Sequence, residues 1–521
     1  FLAWSPMAVA FTRYLHPDSM VAVMSLTAFI FFCAWLYLNQ RWRELIVAGF
    51  FMGLAWLSKT PAAALVFAGA GAIALELWQN RARQTPPGGV GAESANSATN
   101  LPEDPAPSWQ RLLTGYVIWG VVASATFFLL WPVMWTSPFE TFERIYATMT
   151  AYAGGHDNPN FFMGQAVDDP GLFFYPVAFL FRTTPATLLG LVVAAFAFFM
   201  CKAPFDRASV RKTAIGMFIF AVAFLVLMTV MGKKFDRYIL PTFLALDLIA
   251  ALGLVALAQM LAGLFLRDGD VADAMAIDGS RHRTPLGTTI SLLVILIALG
   301  PLHAMLTARH YPYYLTYFNP LMGGTERAPE VMFTGWGEGL DQVGAWLDEQ
   351  PAADTLHVLS WYYYGPLSYY FSGNAIGVQY GSRMPWLDAD YVVLYINQVQ
   401  RDIPTKAAVD FFEGETPVHT VDVAGIEMAR VYDLRDIVAQ LLASAAPSEE
   451  LPVPAQWANP QLVEFKRLTS LPIASALPVE MRWEGESKQE LKASLRLFSE
   501  DGTLVAQEDR PIRPEIHPEM A

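Results

Sequence analysis

Eight long runs of apolar residues constrain this chain more than any other feature of its sequence. They cover residues 18–38, 44–57, 60–78, 112–134, 183–200, 213–231, 239–266 and 286–306. A helix needs about 20 apolar residues to cross the hydrocarbon core of a bilayer. The second and third runs are short and are separated by Ser-Lys-Thr-Pro at residues 58–61, so they predict a tight helical hairpin. We therefore predict a polytopic α-helical membrane protein with about eight spans.

The composition supports this class and argues against another. Hydrophobic residues make up 54% of the 521 residues and charged residues 16%, whereas soluble globular chains carry about 25% charged residues. The net charge is −14 and no basic stripe with interleaved aromatic residues occurs, so nucleic acid is not an expected partner. The chain starts at Phe1 inside an apolar segment, and we interpret it as a fragment of a longer protein.

The distribution of Lys and Arg between alternate loops predicts the orientation. Loops on one side of the predicted spans hold twelve of these cations, and loops on the other side hold seven. Because cytoplasmic loops carry the excess of Lys and Arg, the first set is predicted to be cytoplasmic. The opposite loops and all residues after 306 are then extracytoplasmic, in an integral protein of the plasma membrane.

The pattern changes after residue 306. Residues 356–361, 375–380, 391–396 and 418–432 are predicted to form strands, and residues 340–350 and 406–412 helices. Strands that alternate with helices are typical of α/β domains. We predict a transmembrane domain at residues 1–306, an extracytoplasmic α/β domain at 307–443, a linker at 444–461 and a truncated, β-rich, sandwich-like module at 462–521.

A cationic segment, Gly-Lys-Lys-Phe-Asp-Arg-Tyr at residues 232–238, lies between two predicted spans. Charges at the mouth of a span usually face a cavity, a headgroup or a substrate. Lys233 and Lys234 supply point charges and Arg237 supplies a two-pronged fork for phosphate oxygens, while Asp236 holds Arg237 in place. A simple anchor for lipid headgroups is the alternative function of this segment.

Two further groups of polar residues lie at predicted outer span ends. Arg13, His16 and Asp18 crowd the start of the first full span, where Asp18 alone could also serve as a helix cap. Lys59 lies at the tip of the predicted hairpin, where it would bind a phosphate or, alternatively, extend its ammonium to the membrane surface as an anchor.

Two glycine-containing loops are weaker candidates. His156, in Gly-Gly-His-Asp-Asn-Pro at residues 154–159, could donate to a phosphate or transfer a proton, although this sequence also suits a turn. Gly-Trp-Gly-Glu-Gly at residues 335–339 precedes a predicted helix and could bind an anion. It lacks a preceding strand and the Gly-x-Gly-x-x-Gly pattern, so it does not predict a nucleotide site.

Three of these motifs together resemble a known family. They are Arg13-Tyr14 followed by Asp18, Leu57-Ser58-Lys59-Thr60, and the run from Lys234 to Pro241. Their order and membrane side resemble the membrane-embedded GT-C glycosyltransferases, most closely the protein O-mannosyltransferase type that uses dolichyl-phosphate mannose (family 39), with aminoarabinose-lipid A transferase as a relative. The resemblance covers roughly residues 1–320.

The resemblance implies an enzyme with an extracytoplasmic site. Its donor would be a polyprenyl-phosphate sugar, a hexose or a pentose, transferred with inversion to a hydroxyl of a protein, lipid or glycan. Asp18, Arg13 and His156 would belong to the catalytic groups, and Lys59, Lys233, Lys234, Asp236, Arg237 and Tyr238 would bind the lipid phosphate. The family's principal carboxylate would lie upstream of Phe1. The resemblance implies no required cofactor. A site that binds a divalent metal ion is the alternative.

Two other classes of protein are alternatives to an enzyme. A transporter of an anionic lipid or metabolite is expected to show internal repeats and broken helices at the membrane midplane, and the sequence shows no repeated pair. An envelope scaffold or sensor, in which the spans only anchor the outer domains, would not need cations clustered at outer span ends.

Overall fold

The computed structural model describes residues 2–14, 16–84, 108–153, 158–265, 286–381, 389–437 and 440, together with five strands between residues 447 and 511. Among the described residues up to 308, the regular structure is helical apart from one short hairpin. The helices are α1 (Pro6–Arg13), α2 (Pro17–Ala34), α3 (Trp42–Ser58), α4 (Ala64–Gln84), α5 (Trp109–Leu130), α6 (Val133–Thr136), α7 (Pro138–Ala153), α8 (Phe174–Arg182), α9 (Pro185–Phe199), α10 (Ala208–Val230), α11 (Leu240–Phe265) and α12 (Leu286–Ala308).

Several of these helices have the length and apolarity of membrane spans. Within the described residues the qualifying segments are Pro17–Leu38, Thr60–Arg81, Trp109–Leu130, Ala208–Val230 and Asp236–Ala262. Helices α8 and α9 meet at an angle of 112° and add a sixth span if they count as one. The chain is therefore an integral membrane protein. The total of eight spans and the side of the membrane on which each loop lies remain predictions.

The bend between α8 and α9 lies at the start of the run that is predicted as a span over residues 183–200, and α9 covers nearly all of that run. Pro185 occupies the first turn of α9, and the Thr184 side chain accepts a hydrogen bond from the backbone N–H of Thr187. A proline in the first turn together with a capping threonine starts a new helix rather than continuing the old one. The bend lies next to the cationic segment, because Arg182 at the end of α8 pairs with Asp236.

The helices pack closely where glycine replaces a side chain. Helix α2 packs along α3, α3 along α5, and α9 along α11. At the α9–α11 contact a Cβ atom on Gly253 would lie 1.9 Å from the carbonyl oxygen of Gly190. Small residues allow such close backbone approach between membrane helices, and this contact fixes α11, which follows the cationic segment directly.

The α/β domain follows the helices and contains a mixed five-stranded sheet. Its strands are β3 (His357–Ser360), β4 (Asn374–Gly377), β5 (Tyr391–Tyr395), β6 (His419–Val423) and β7 (Ile426–Asp433), in the order β4-β3-β5-β7-β6. Strands β1 (Asn160–Phe162) and β2 (Gln165–Val167) form a separate hairpin between α7 and α8. The domain's helices are α13 (Gly324–Val331), α14 (Leu340–Asp348), α15 (Ile396–Val399) and α16 (Lys406–Glu413).

The predicted extent of one strand in this domain was wrong. Residues 418–432 form the two antiparallel strands β6 and β7 instead of one, because the chain reverses at Ala424 and Gly425. Both residues have positive φ angles, 53° and 82°, which is the backbone geometry of tight hairpin turns. Among the described strands, β6 lies at the edge of the sheet and pairs with β7.

The described strands of the C-terminal region form two antiparallel sheets. Strands β8 (Pro447–Glu450), β9 (Gln461–Leu468) and β10 (Val479–Glu484) form one sheet, and β11 (Lys492–Phe498) pairs with β12 (Leu504–Pro511) in the other. Strand β8 lies within the predicted linker of residues 444–461. The domain boundaries and the sandwich arrangement remain predictions.

Candidate active site

The side chain of Asp18 is the centre of a charged cluster at the start of α2. It is 1% exposed, and its Oδ1 contacts the ammonium of Lys59. Its Oδ2 lies 3.3 Å from Nε of Arg237 and 3.1 Å from Nδ1 of His16. We call Asp18, His16, Lys59, Arg237 and Tyr238 the Asp18 cluster.

Each member of the Asp18 cluster lies where a helix begins or ends. His16 and Asp18 flank Pro17 at the first turn of α2. Lys59 has extended backbone angles and separates α3 from the short 3-10 helix Thr60–Ala63 that precedes α4. The remaining two residues lie in the 3-10 helix Asp236–Ile239. Interrupted helices thus bring together residues that are about 40 and 220 positions apart in the sequence.

Aromatic rings surround the two cations. The Lys59 ammonium lies 4.3 Å from the ring centre of Tyr238. The guanidinium carbon of Arg237 lies 4.1 Å from the ring centre of Phe235 and 4.7 Å from that of Trp336. Within the described part of the chain, the Arg237 guanidinium takes part in no hydrogen bond. Its Nε is buried and faces the carboxylate of Asp18.

The cluster carries more positive than negative charge. One carboxylate faces two cations, since Asp18 is the partner of both Lys59 and Arg237. Burial lowers the pKa of Lys59, and the charge of Asp18 opposes that shift. Burial also lowers the pKa of His16, so this imidazole is neutral near pH 7. An anion that enters the cluster would restore its charge balance.

A largely apolar cavity of about 1850 Å³ adjoins the cluster. It lies between the α3–α4 hairpin, α5, α7 and the end of α10, and Lys59, Lys233 and Tyr238 contribute to its wall. Helix α7 adds Arg144, which forms an ion pair with Glu140 at 2.7 Å. The cavity therefore combines an apolar interior with cations from two helix ends and from the middle of α7.

The other predicted site residues lie in different surroundings. Lys234 is 1% exposed and donates to Asp169 at 2.5 Å. Asp236 accepts from Arg182 at 2.6 Å, so both residues form ion pairs outside the Asp18 cluster. Arg13 is exposed and donates to the Tyr314 hydroxyl at 3.3 Å. His156 lies outside the described residues.

Sequence reasoning missed two residues that contact the site. Trp336 packs on Arg237, and Arg182 holds the neighbouring Asp236. The sequence pattern indicates only a possible anion-binding turn for the segment that contains Trp336, and it marks Arg182 only as one of the seven cations in the predicted outer loops. Among the residues with described side chains, no group of three or more His, Cys, Asp or Glu residues could hold a metal ion.

Comparisons with known proteins agree with the sequence reading over the N-terminal part of the chain. Residues 1–87, which include Asp18 and Lys59, match the family model of the dolichyl-phosphate-mannose-protein mannosyltransferases. This match confirms the predicted resemblance over those residues. The comparison with curated proteins gave no match.

Two solved structures of ArnT from Cupriavidus metallidurans are also similar to this chain. For the apo state the identity is 14% and the TM-score 0.36, with 82% of this chain and 76% of that chain covered. For the state bound to undecaprenyl phosphate the identity is again 14% and the TM-score 0.35, with 82% and 77% covered.

Proposed function

We propose that this protein transfers a sugar from a polyprenyl-phosphate donor to an acceptor hydroxyl at the extracytoplasmic face of the membrane, with inversion at the anomeric carbon. The observation that carries the proposal is the sharing of one buried carboxylate, Asp18, by Lys59 and Arg237 beside an apolar cavity. The family match over residues 1–87 supports the same chemistry.

The cluster suits the phosphate of such a donor. Arg237 offers a planar fork of donors and Lys59 a compact charge, which together match the oxygens of a phosphate. Both cations are partly buried among aromatic rings, with the side chains of Lys59 and Arg237 24% and 14% exposed, and electrostatic attraction is stronger where fewer water molecules surround the charges. We assign Asp18 the role of holding the two cations at one place.

The cavity suits the hydrocarbon part of the donor. Most of its lining residues are apolar and come from α5, α7 and the α3–α4 hairpin. Burial of a prenyl chain is favourable by about 0.8 kcal/mol for each buried methylene-sized group. A ligand with a long apolar tail and one anionic head therefore fits both halves of the site.

The charge arrangement also suits the reaction. The acceptor oxygen attacks the anomeric carbon and gives its hydroxyl proton to a carboxylate that acts as general base, while the bond from that carbon to the phosphate oxygen breaks, through an oxocarbenium-like state. The electron pair of the broken bond leaves on the lipid phosphate, where Lys59 and Arg237 stabilise it. A well-placed donor of this kind lowers the barrier by about 2.7–4 kcal/mol, or about 10² to 10³ in rate.

The test uses the full-length protein reconstituted in vesicles with undecaprenyl-phosphate sugars, both hexoses and pentoses. Release of undecaprenyl phosphate is measured for wild type, Lys59→Ala and Arg237→Ala. We expect each substitution to lower turnover by about 10² to 10³. Lys406→Ala, which removes an exposed cation on α16, should leave turnover unchanged. Undiminished turnover in both cluster variants would remove the phosphate role.

The predicted orientation has its own test. Cys33 and Cys201 are first replaced by Ala, and single cysteines are introduced at Lys406 and Gly91. An impermeant thiol reagent added to intact cells should label the cysteine at position 406 and not that at position 91. The reverse labelling would place the cluster on the cytoplasmic face and end the proposal of an extracytoplasmic enzyme.

A further inference from the structure

We propose that Trp336 of the α/β domain is a positioning residue for Arg237, so that this domain completes the phosphate site. The inference rests on the proposed function and adds to it a residue from outside the transmembrane helices. We call residues 335–339, Gly-Trp-Gly-Glu-Gly, the Trp336 loop.

The Trp336 ring lies against the Asp18 cluster. Its centre is 4.7 Å from the guanidinium carbon of Arg237 and 5.1 Å from the ring centre of His16, which it meets edge to face. It also lies 5.6 Å from the ring of Tyr14 and 6.0 Å from that of Phe11. All four neighbours belong to the helical region, so the loop reaches out of its own domain to touch them.

Glu338 fixes the loop to both regions. Its carboxylate accepts hydrogen bonds from the backbone N–H of Trp336 at 2.5 Å and from the Tyr14 hydroxyl at 3.2 Å. On the other side, the Tyr395 hydroxyl donates to the backbone oxygen of Glu338 at 3.1 Å. Glu338 is 3% exposed. The loop is therefore tied to the end of α1 and to the end of β5 at the same time.

The backbone of the loop requires glycine. Gly335, Gly337 and Gly339 have φ angles of 85°, 109° and 84°, a region that residues with a Cβ atom rarely adopt. A Cβ atom on Gly335 would also lie 2.7 Å from the Tyr395 hydroxyl. These three glycines, all with positive φ, give the Trp336 loop a tight turn. The turn places the indole ring of Trp336 against Arg237.

Arg237 needs such a neighbour to keep its position. Its guanidinium makes no hydrogen bond among the described residues, so its ion pair with Asp18 and its packing against Phe235 and Trp336 together orient it. A cation beside an indole face gains about 0.5–2 kcal/mol, which corresponds to about a 2- to 30-fold change in an equilibrium constant. Loss of the indole would let Arg237 move away from the phosphate.

The experiment measures binding of undecaprenyl phosphate to the purified full-length protein. The variants are Trp336→Phe, Trp336→Leu, Arg237→Ala and the double variant Trp336→Leu with Arg237→Ala. We expect the affinity to fall in the order Trp, Phe, Leu at position 336, by about 2- to 30-fold overall. In the Arg237→Ala background, Trp336→Leu should cause no further loss, because coupled residues are non-additive.

Trp346 provides the matched control. It belongs to the same domain and stacks on His419 at 4.8 Å. Trp346→Leu should leave the affinity within about twofold of wild type, and any effect it has should add to that of Arg237→Ala. Unfolding temperatures are measured for every variant. If Trp336→Leu does not fold, the affinity of Trp336→Phe for undecaprenyl phosphate tests the positioning role of Trp336.

The outcomes separate the two proposals. If wild type does not bind undecaprenyl phosphate, or if Arg237→Ala binds it as well as wild type, the proposed function fails. If Arg237→Ala loses binding while both Trp336 variants bind like wild type, only the positioning role of Trp336 fails. Fully additive losses at positions 336 and 237 would also overturn that role.

Discussion

Arg182 donates from Nε to the carboxylate of Asp236 at 2.6 Å and so joins the bend between α8 and α9 to the cationic segment of residues 232–238. Arg182 also donates to the backbone oxygens of Leu315 and Tyr317. Because Asp236 is held in this way, its neighbour Arg237 faces Asp18, while Lys234 pairs with Asp169. The segment thus supplies one cation to the cluster and another to a separate ion pair.

The pair of Lys234 and Asp169 should contribute to stability. Asp169→Ala would leave a buried ammonium without its carboxylate, at a cost of about 1–3 kcal/mol. We expect a lower unfolding temperature for Asp169→Ala in detergent. Asp168→Ala removes the adjacent exposed carboxylate and should leave the unfolding temperature unchanged. Equal unfolding temperatures for wild type and Asp169→Ala would show that water alone satisfies Lys234.

The same pair predicts a pH dependence. Burial acts to raise the pKa of Asp169, but hydrogen bonds from Lys234 and from the backbone N–H of Gly171 outweigh it and lower that pKa. A depressed carboxyl pKa contributes stability above the unfolded pKa, about 3.9, that is lost as the pH falls through the folded pKa. The difference in unfolding temperature between wild type and Asp169→Ala should therefore narrow below about pH 4.

Lys59 should set an alkaline limit on phosphate binding. Burial lowers its pKa, so the ammonium loses its proton at a lower pH than an exposed lysine does. Affinity for undecaprenyl phosphate should fall as the pH rises through that pKa. Lys59→Arg keeps its charge and should show a flatter pH profile, measured between pH 7 and pH 10. The control Lys406→Arg should follow wild type, and parallel profiles for wild type and Lys59→Arg would contradict the prediction.

A bulky side chain on α5 would fill part of the cavity. Gly120 lines it, and a Cβ atom at this position would meet no described atom within 4 Å. We expect Gly120→Trp to weaken binding of undecaprenyl phosphate by about tenfold, while inorganic phosphate competes at the cluster as before. Val192→Trp adds an indole to an exposed position on α9 and should not change the binding of either ligand. Unaltered undecaprenyl phosphate binding in Gly120→Trp would place the prenyl chain elsewhere.

The contact between α9 and α11 should tolerate no added atom. A Cβ atom on Gly253 would overlap the Gly190 carbonyl, and overpacking of this kind typically costs about 1–3 kcal/mol. Gly253→Ala should therefore lower the unfolding temperature. Gly120→Ala, with open space around the added methyl group, should leave it unchanged or slightly higher. Similar unfolding temperatures for the two variants would show that the helices move apart at little cost.

Local patterns predicted much of the site. The positions of Asp18, Lys59 and Arg237 at span ends follow from where apolar runs stop, and a charged residue at such a boundary faces water, a headgroup or a ligand. These three residues meet in the structure. Lys234 could not be separated from Lys233 or Arg237 by sequence, because neighbouring residues in an irregular segment point in directions that only their partners determine.

The sequence by itself determined the class of protein, the helical hairpin around Lys59 and most strands of the α/β domain, because apolar periodicity and length act locally. Only the tertiary structure decided which cation faces Asp18, that Asp236 belongs to Arg182, and that Trp336 covers Arg237. Each of these contacts joins residues 41 or more positions apart. Such pairings depend on how helices cross and how the α/β domain packs on them, which no local pattern encodes.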